Sequence, residues 1–173
     1  ILFIHGTPGT IEDWNLIIED LSKDYRVTAF DRPGHGLSTK HDYGYHIDEN
    51  AEMVKQLIDE LKLDSPMIVG HSYGGSIAAN LAANHYNDNL DYVIIDSPLF
   101  TYTPSAIYNL VSAPIIGKTF AFLANYTIAE NMLEKGVRKS FANQSESQIN
   151  YYIEQRKKWW LQPKVAYSKA KES

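Results

Sequence analysis

The stretch Pro66-Met67-Ile68-Val69-Gly70-His71-Ser72-Tyr73-Gly74-Gly75-Ser76-Ile77-Ala78 decides the fold. It reads as a buried apolar strand (66–70), a Gly-x-Ser-x-Gly turn, and a helix of small residues over 76–84. In such a tight strand-to-helix turn, side chains at Gly70 and Gly74 would collide with neighbouring backbone, and glycine removes the collision. Ser72 is then pushed out at the C-terminal edge of a sheet, close to a helix N-terminus. The five-residue pattern alone also fits a merely structural glycine turn. The preceding apolar strand and the extra glycine at Gly75 favour a catalytic serine.

Outward from this stretch, short apolar runs alternate with helical patterns. Ile1–Ile4, Arg26–Phe30 and Tyr92–Ile95 read as strands. Asp13–Leu21 reads as a helix with Trp14, Ile17, Ile18 and Leu21 on one face. Ile47–Leu63 reads as another, with Ala51, Val54, Leu57, Ile58 and Leu61 as its stripe and Asp48 as N-cap. Alternation of this kind predicts an α/β fold, a mostly parallel sheet with helices on both faces. The boundary falls near Ser97. Residues 1–97 form the α/β core, and residues 98–173 read as helices only (105–111, 118–125, 128–141 and 146–160), punctuated by Pro98, Pro104, Pro114 and Pro163.

Composition narrows the function. The 173 residues carry a net charge of −5, which gives no basic footprint for nucleic acid, and the 44% hydrophobic content is that of a globular protein. Zero cysteines exclude disulfides, thiolate nucleophiles and cysteine-held metals. There is no His-Glu-x-x-His and no other clustered ligand set, so the residues point to no metal. Gly117-Lys118-Thr119 ends like a phosphate loop but lacks the first glycine and a preceding strand. The uncharged stretch 97–117 contains three prolines and many polar residues, which argues against a membrane span. The chain opens inside an apolar strand without Met and stops in the helix-like segment 169–173. It therefore reads as part of a longer protein, and its compartment stays open.

Two further loops follow strands at the same edge. His5-Gly6-Thr7-Pro8-Gly9 can present backbone N–H groups to Ser72, and the expected oxyanion donors are the N–H groups of Thr7 and Tyr73. Asp31-Arg32-Pro33-Gly34-His35-Gly36-Leu37-Ser38 reads as a compact loop in which Asp31 and Arg32 order their surroundings through charge-assisted hydrogen bonds.

Together the three segments resemble the α/β-hydrolase superfamily, the type with a His-Gly-x-Pro turn (His5, Gly6) and a helical cap, or lid. The resemblance covers residues 1 to about 98 closely and implies the strand order Val27, Leu2, Ile68, Val93. It implies a serine hydrolase: Ser72 as nucleophile, an oxyanion hole at Thr7 and Tyr73, no cofactor, and a small apolar ester as substrate. The family pattern runs Ser, then Asp or Glu, then His. Only His85 follows Ser72 here, near the end of the helix that Ser72 starts. The base is thus missing from this chain, which is expected to be nearly inactive alone. Asp96, ending the sixth family strand, is a candidate acid, or else a strand-end residue capping the turn into Ser97. Cleavage of C–C or amide bonds, perhydrolysis, and non-catalytic ligand binding remain alternatives on the same framework.

Overall fold

The computed structural model describes residues 1–84, 90–97, 130–131, 133–139, 141, 143–160, 162, 165, 168 and 172. The chain divides into two compact units, Ile1–Thr103 with Glu172, and Pro104–Lys171 with Ser173.

The first unit is built on strands β1 (Leu2–Ile4), β2 (Thr28–Ala29), β3 (Ile68–His71) and β4 (Tyr92–Ile95). They form one parallel sheet in the order β2-β1-β3-β4, as the resemblance implies. Central β1 is apolar at every position because both faces of a parallel sheet are covered. Side chains alternate across it. Leu2 and Ile4 join Ile68 against Ala51, Val54 and Ile58 of α2 (Ile47–Glu60) and Ile77, Ala78 and Leu81 of α3 (Tyr73–Asn84). Phe3 and Val69 meet Trp14 on the opposite face, where α1 (Asn15–Leu21) adds Ile18 and Leu21. Burying each large apolar side chain contributes about 1.5–3 kcal/mol. Exposed pairs such as Lys23–Asp20 contribute at most about 1 kcal/mol, so apolar packing holds this unit together.

Several boundaries differ from expectation. The helix read over 13–21 is split into a 3-10 turn, Ile11–Trp14, and α1, because the Thr10 hydroxyl accepts the Glu12 N–H and starts the turn early. Ile17, expected on the buried face, is 42% exposed. The second strand shrinks to two residues. Helix α2 is capped at His46, not Asp48, because the Glu49 carboxylate reaches back to the N–H groups of Gly44 (3.0 Å), Tyr45 (3.1 Å) and His46 (3.3 Å).

That cap yields a prediction. Burial pulls the Glu49 pKa up, but the three backbone donors outweigh it and the net shift is downward. A depressed folded pKa means a contribution complete above the ordinary value of 4.5 and lost as pH falls through the lower folded value. Glu49→Ala is expected to cost about 1 kcal/mol near neutrality, the scale of a helix cap. The difference from wild type should vanish in urea melts at strongly acidic pH.

In the second unit, helical residues 133–139 pack on α4 (Glu146–Trp160). Leu133, Val137, Ile149, Tyr152 and Ile153 form its core, and Phe141 stacks on Tyr152 at 4.6 Å. Ser145 and Gln148 make a reciprocal capping box at the start of α4. Arg138 joins Glu134, Glu146 and Asn150. The helices expected over 105–111 and 118–125 lie outside the described residues. Among the described residues no helix is long and apolar enough to cross a membrane.

Candidate active site

Ser72 is the single residue between β3 and α3, since the helix begins at Tyr73, three residues earlier than its small-residue run predicts. Its φ is +52°, a conformation that non-glycine residues adopt at a cost of roughly 1–3 kcal/mol. The surroundings enforce it. The Ser72 N–H donates to the Ile95 carbonyl of β4 at 2.8 Å, and its carbonyl accepts from Gly75 at 2.9 Å as the helix opens. A side chain at Gly70 would lie 2.4 Å from the Gly74 carbonyl oxygen, and one at Gly74 would lie 2.2 Å from that of Ile4. The turn can close only with glycine at both positions.

The His5–Gly9 turn comes against this elbow. A Cβ on Gly6 would lie 2.7 Å from the Ser72 Cβ, so the absence of a side chain lets Gly6 meet the serine directly. Tyr73 opens α3, and its N–H is one of the first-turn donors that the helix ladder leaves without a partner. The positive end of the helix dipole faces the same place. Among the described residues, no hydrogen bond from the Thr7 or Tyr73 N–H to a protein acceptor is present.

Behind the turn lies a buried polar cluster. The Arg32 guanidinium, on a residue with no exposure, donates to the carbonyls of His5 (3.1 Å) and Gly6 (3.1 Å) and to the Thr7 hydroxyl (2.7 Å). Its remaining arm pairs with the Glu172 carboxylate at 2.6 Å, which also accepts from the Thr7 hydroxyl. The pair offsets the cost of burying a guanidinium. The cation also lies 4.9 Å over the Tyr73 ring. Burial, and then the Glu172 charge, push the Tyr73 phenol well above its ordinary pKa against the opposing pull of Arg32. The phenol therefore stays protonated and donates to the Tyr45 carbonyl at 2.8 Å.

The His5 ring is fully committed to this cluster. Its Nδ1 lies 2.8 Å from the Gly6 carbonyl, which can only accept, and its Nε2 lies 2.9 Å from the Arg32 N–H, which can only donate. Both contacts require the neutral Nδ1–H tautomer. His35 is buried, with Nδ1 on the Pro33 carbonyl at 3.0 Å. Asp31 ties two loops together by accepting from the N–H groups of Ile11 (2.9 Å) and Leu37 (2.8 Å). Asp96, exposed and at φ +46°, directly follows the residue that pairs with His71, and so lies beside Ser72 at the same sheet edge. Ser97 packs against Gly75 and shares a 3.1 Å hydroxyl contact with Ser76. Among the described residues no histidine is bonded to the Ser72 hydroxyl, and none of them forms a group of three or more potential metal ligands. His85 lies outside the described residues. The Glu172 contacts had no sequence signal, and those of Arg32 had only a partial one.

This geometry matches a known class. The family model for the alpha/beta hydrolase fold matches residues 1–131, and the chain belongs to that family. A bifunctional esterase/perhydrolase from Acinetobacter calcoaceticus is 35% identical over 109 residues, covering 61% of this chain and 40% of the relative. The dihydrolipoyllysine-residue acetyltransferase component of an acetoin cleaving system from Cupriavidus necator is 38% identical over 84 residues, covering 49% of this chain and 22% of the relative. Among solved structures, an esterase from Exiguobacterium antarcticum superimposes with a TM-score of 0.73 at 19% identity, covering 99% of this chain and 65% of its own. A bromoperoxidase from Bacillus anthracis gives 0.71 at 23% identity, with 98% and 63% covered. The chain thus spans less than two thirds of the length of each.

Proposed function

We propose that this chain is the nucleophile-bearing part of a serine hydrolase that cleaves a small apolar carboxylic ester through an acyl-serine intermediate. The observation that carries the reading is Ser72 at φ +52°, alone between β3 and α3, with Gly6 against its Cβ. In this mechanism Ser72 Oγ attacks the carbonyl carbon and its proton passes to a base. The N–H groups of Thr7 and Tyr73 hold the oxyanion. Collapse of the tetrahedral intermediate expels the alcohol, and water then releases the acid. His5 and His35 have their Nδ1 atoms on backbone carbonyls and stay out of the relay. The base comes from outside this chain, which has no histidine after His85. Asp96 is the acid candidate within it.

A second reading keeps the acyl-serine and replaces the attacking water with hydrogen peroxide. The similarity to the esterase/perhydrolase supports it. The test is a panel of p-nitrophenyl esters given to the complete gene product, with and without peroxide. Expected is a burst of about one p-nitrophenol per active site followed by slower turnover. No turnover on any ester or amide would contradict the reading and leave ligand binding on the same fold.

A further inference from the structure

We propose that Arg32 is a positioning residue that sets the orientation of the oxyanion turn by locking the Gly6–Thr7 peptide. The proposal rests on the serine-hydrolase reading above and deepens it. A peptide next to glycine rotates easily, because glycine admits backbone conformations closed to other residues. Here the carbonyl of that peptide is held by two donors, Arg32 Nη2 at 3.1 Å and His5 Nδ1 at 2.8 Å. In a planar trans peptide the C=O and the N–H point in opposite directions. Fixing the Gly6 carbonyl toward Arg32 and His5 therefore fixes the Thr7 N–H away from them, in the turn whose Gly6 abuts Ser72.

Arg32 adds what His5 alone lacks. Its planar fork also holds the His5 carbonyl at 3.1 Å, so two successive carbonyls of the turn are pinned by one rigid group. Its backbone N–H, at 2.9 Å from His5 Nε2, selects the histidine tautomer that makes the second bond to Gly6. The ion pair with Glu172 and the stacking over Tyr73 anchor the guanidinium itself. Arg32 touches no reacting atom. It acts through the Thr7 N–H, and its loss should be felt where negative charge develops.

The experiment uses the complete gene product with Arg32→Met and Arg32→Lys. Expected for Arg32→Met is a kcat loss of roughly 10²–10³-fold on a p-nitrophenyl ester, the scale of one missing oxyanion donor, with KM changed less than ~3-fold. Affinity for an alkylboronic acid, which forms a tetrahedral anionic adduct on the serine, should fall by a similar factor. Arg32→Lys keeps the charge but not the fork and should show the same pattern at about tenfold. It carries the test if Arg32→Met does not fold. Arg32 variants that lower kcat while leaving boronate affinity unchanged, or that raise KM with kcat intact, would overturn the assignment and leave Arg32 a structural residue. A wild type that neither hydrolyses esters nor binds the boronate would overturn the hydrolase reading, and the assignment with it.

Discussion

Replacing Ser72 by alanine in the complete gene product is expected to lower kcat for ester hydrolysis by about a millionfold, because the acyl intermediate then has no atom to form on. The residual rate over water would come from the oxyanion donors and from binding alone. The thermal transition should move little. Ser72 is half-buried, its hydroxyl makes no side-chain hydrogen bond among the described residues, and alanine meets the same backbone cost at φ +52° as serine does. KM should stay within a few-fold of wild type. A fall in kcat of less than tenfold would place the nucleophile elsewhere. Steady-state kinetics on a p-nitrophenyl ester, with a thermal melt of the same preparation, measures both effects.

The second large effect concerns folding. Gly74→Ala would place a methyl group 2.2 Å from the Ile4 carbonyl oxygen and 2.7 Å from that of His5. Both obstacles are backbone, at the end of the central strand β1 and just beyond it, and neither can swing aside as a side chain tip would. Relief requires α3 to move off the sheet, which disrupts the packing of Ile77, Ala78 and Leu81 on Leu2 and Ile4. A cost of about 3 kcal/mol or more is expected, at the upper end for overpacking, against total stabilities of about 5–15 kcal/mol. Gly136→Ala supplies a control of opposite sign. Its Cβ would meet nothing within 4 Å, it lies within helical residues 133–139, and alanine there should stabilise by up to about 1 kcal/mol. Urea denaturation of the two variants should therefore shift in opposite directions.

The elbow was legible in the sequence because its geometry depends on glycine at fixed positions. Gly70 and Gly74 sit where a Cβ would meet backbone, and only the sequence spacing was needed to see it. The start of α3 is less legible from the same glycines. They look like helix breakers, yet Gly74 and Gly75 are its second and third residues, because Ile4 and Ser97 press too close for anything larger. The apolar pattern of α1 failed at one position. Ile17 is 42% exposed, whereas Trp14, Ile18 and Leu21 of the same expected stripe pack with Phe3 and Val69, so periodicity marked the buried side at three of its four positions. The cap of α2 went to His46 because Glu49 serves three N–H groups at once, a tertiary arrangement that residue preferences do not register.

Of the candidate site, the positions of the turn and of Ser72 are legible from motifs, whereas the contacts of Arg32 are not. Arg32 read only as a loop-ordering residue. Its acceptors are backbone carbonyls 26 and 27 residues away, and no residue type advertises a carbonyl. The Glu172 partner is 140 residues distant. The edge position of β4 was expected from the strand order. Its Val93, Ile94 and Ile95 are 41%, 39% and 41% exposed, as an edge strand leaves them.

The most direct test of the account is fluorophosphonate labelling followed by peptide mass spectrometry, run on the complete gene product and on the 173-residue chain in parallel. The account predicts a rapid, stoichiometric adduct on Ser72 in the complete product and only slow labelling of the chain alone, whose sequence has no histidine after His85 to activate the serine. Failure of the complete product to react, an adduct on a residue other than Ser72, or equally rapid labelling of the isolated chain would contradict it.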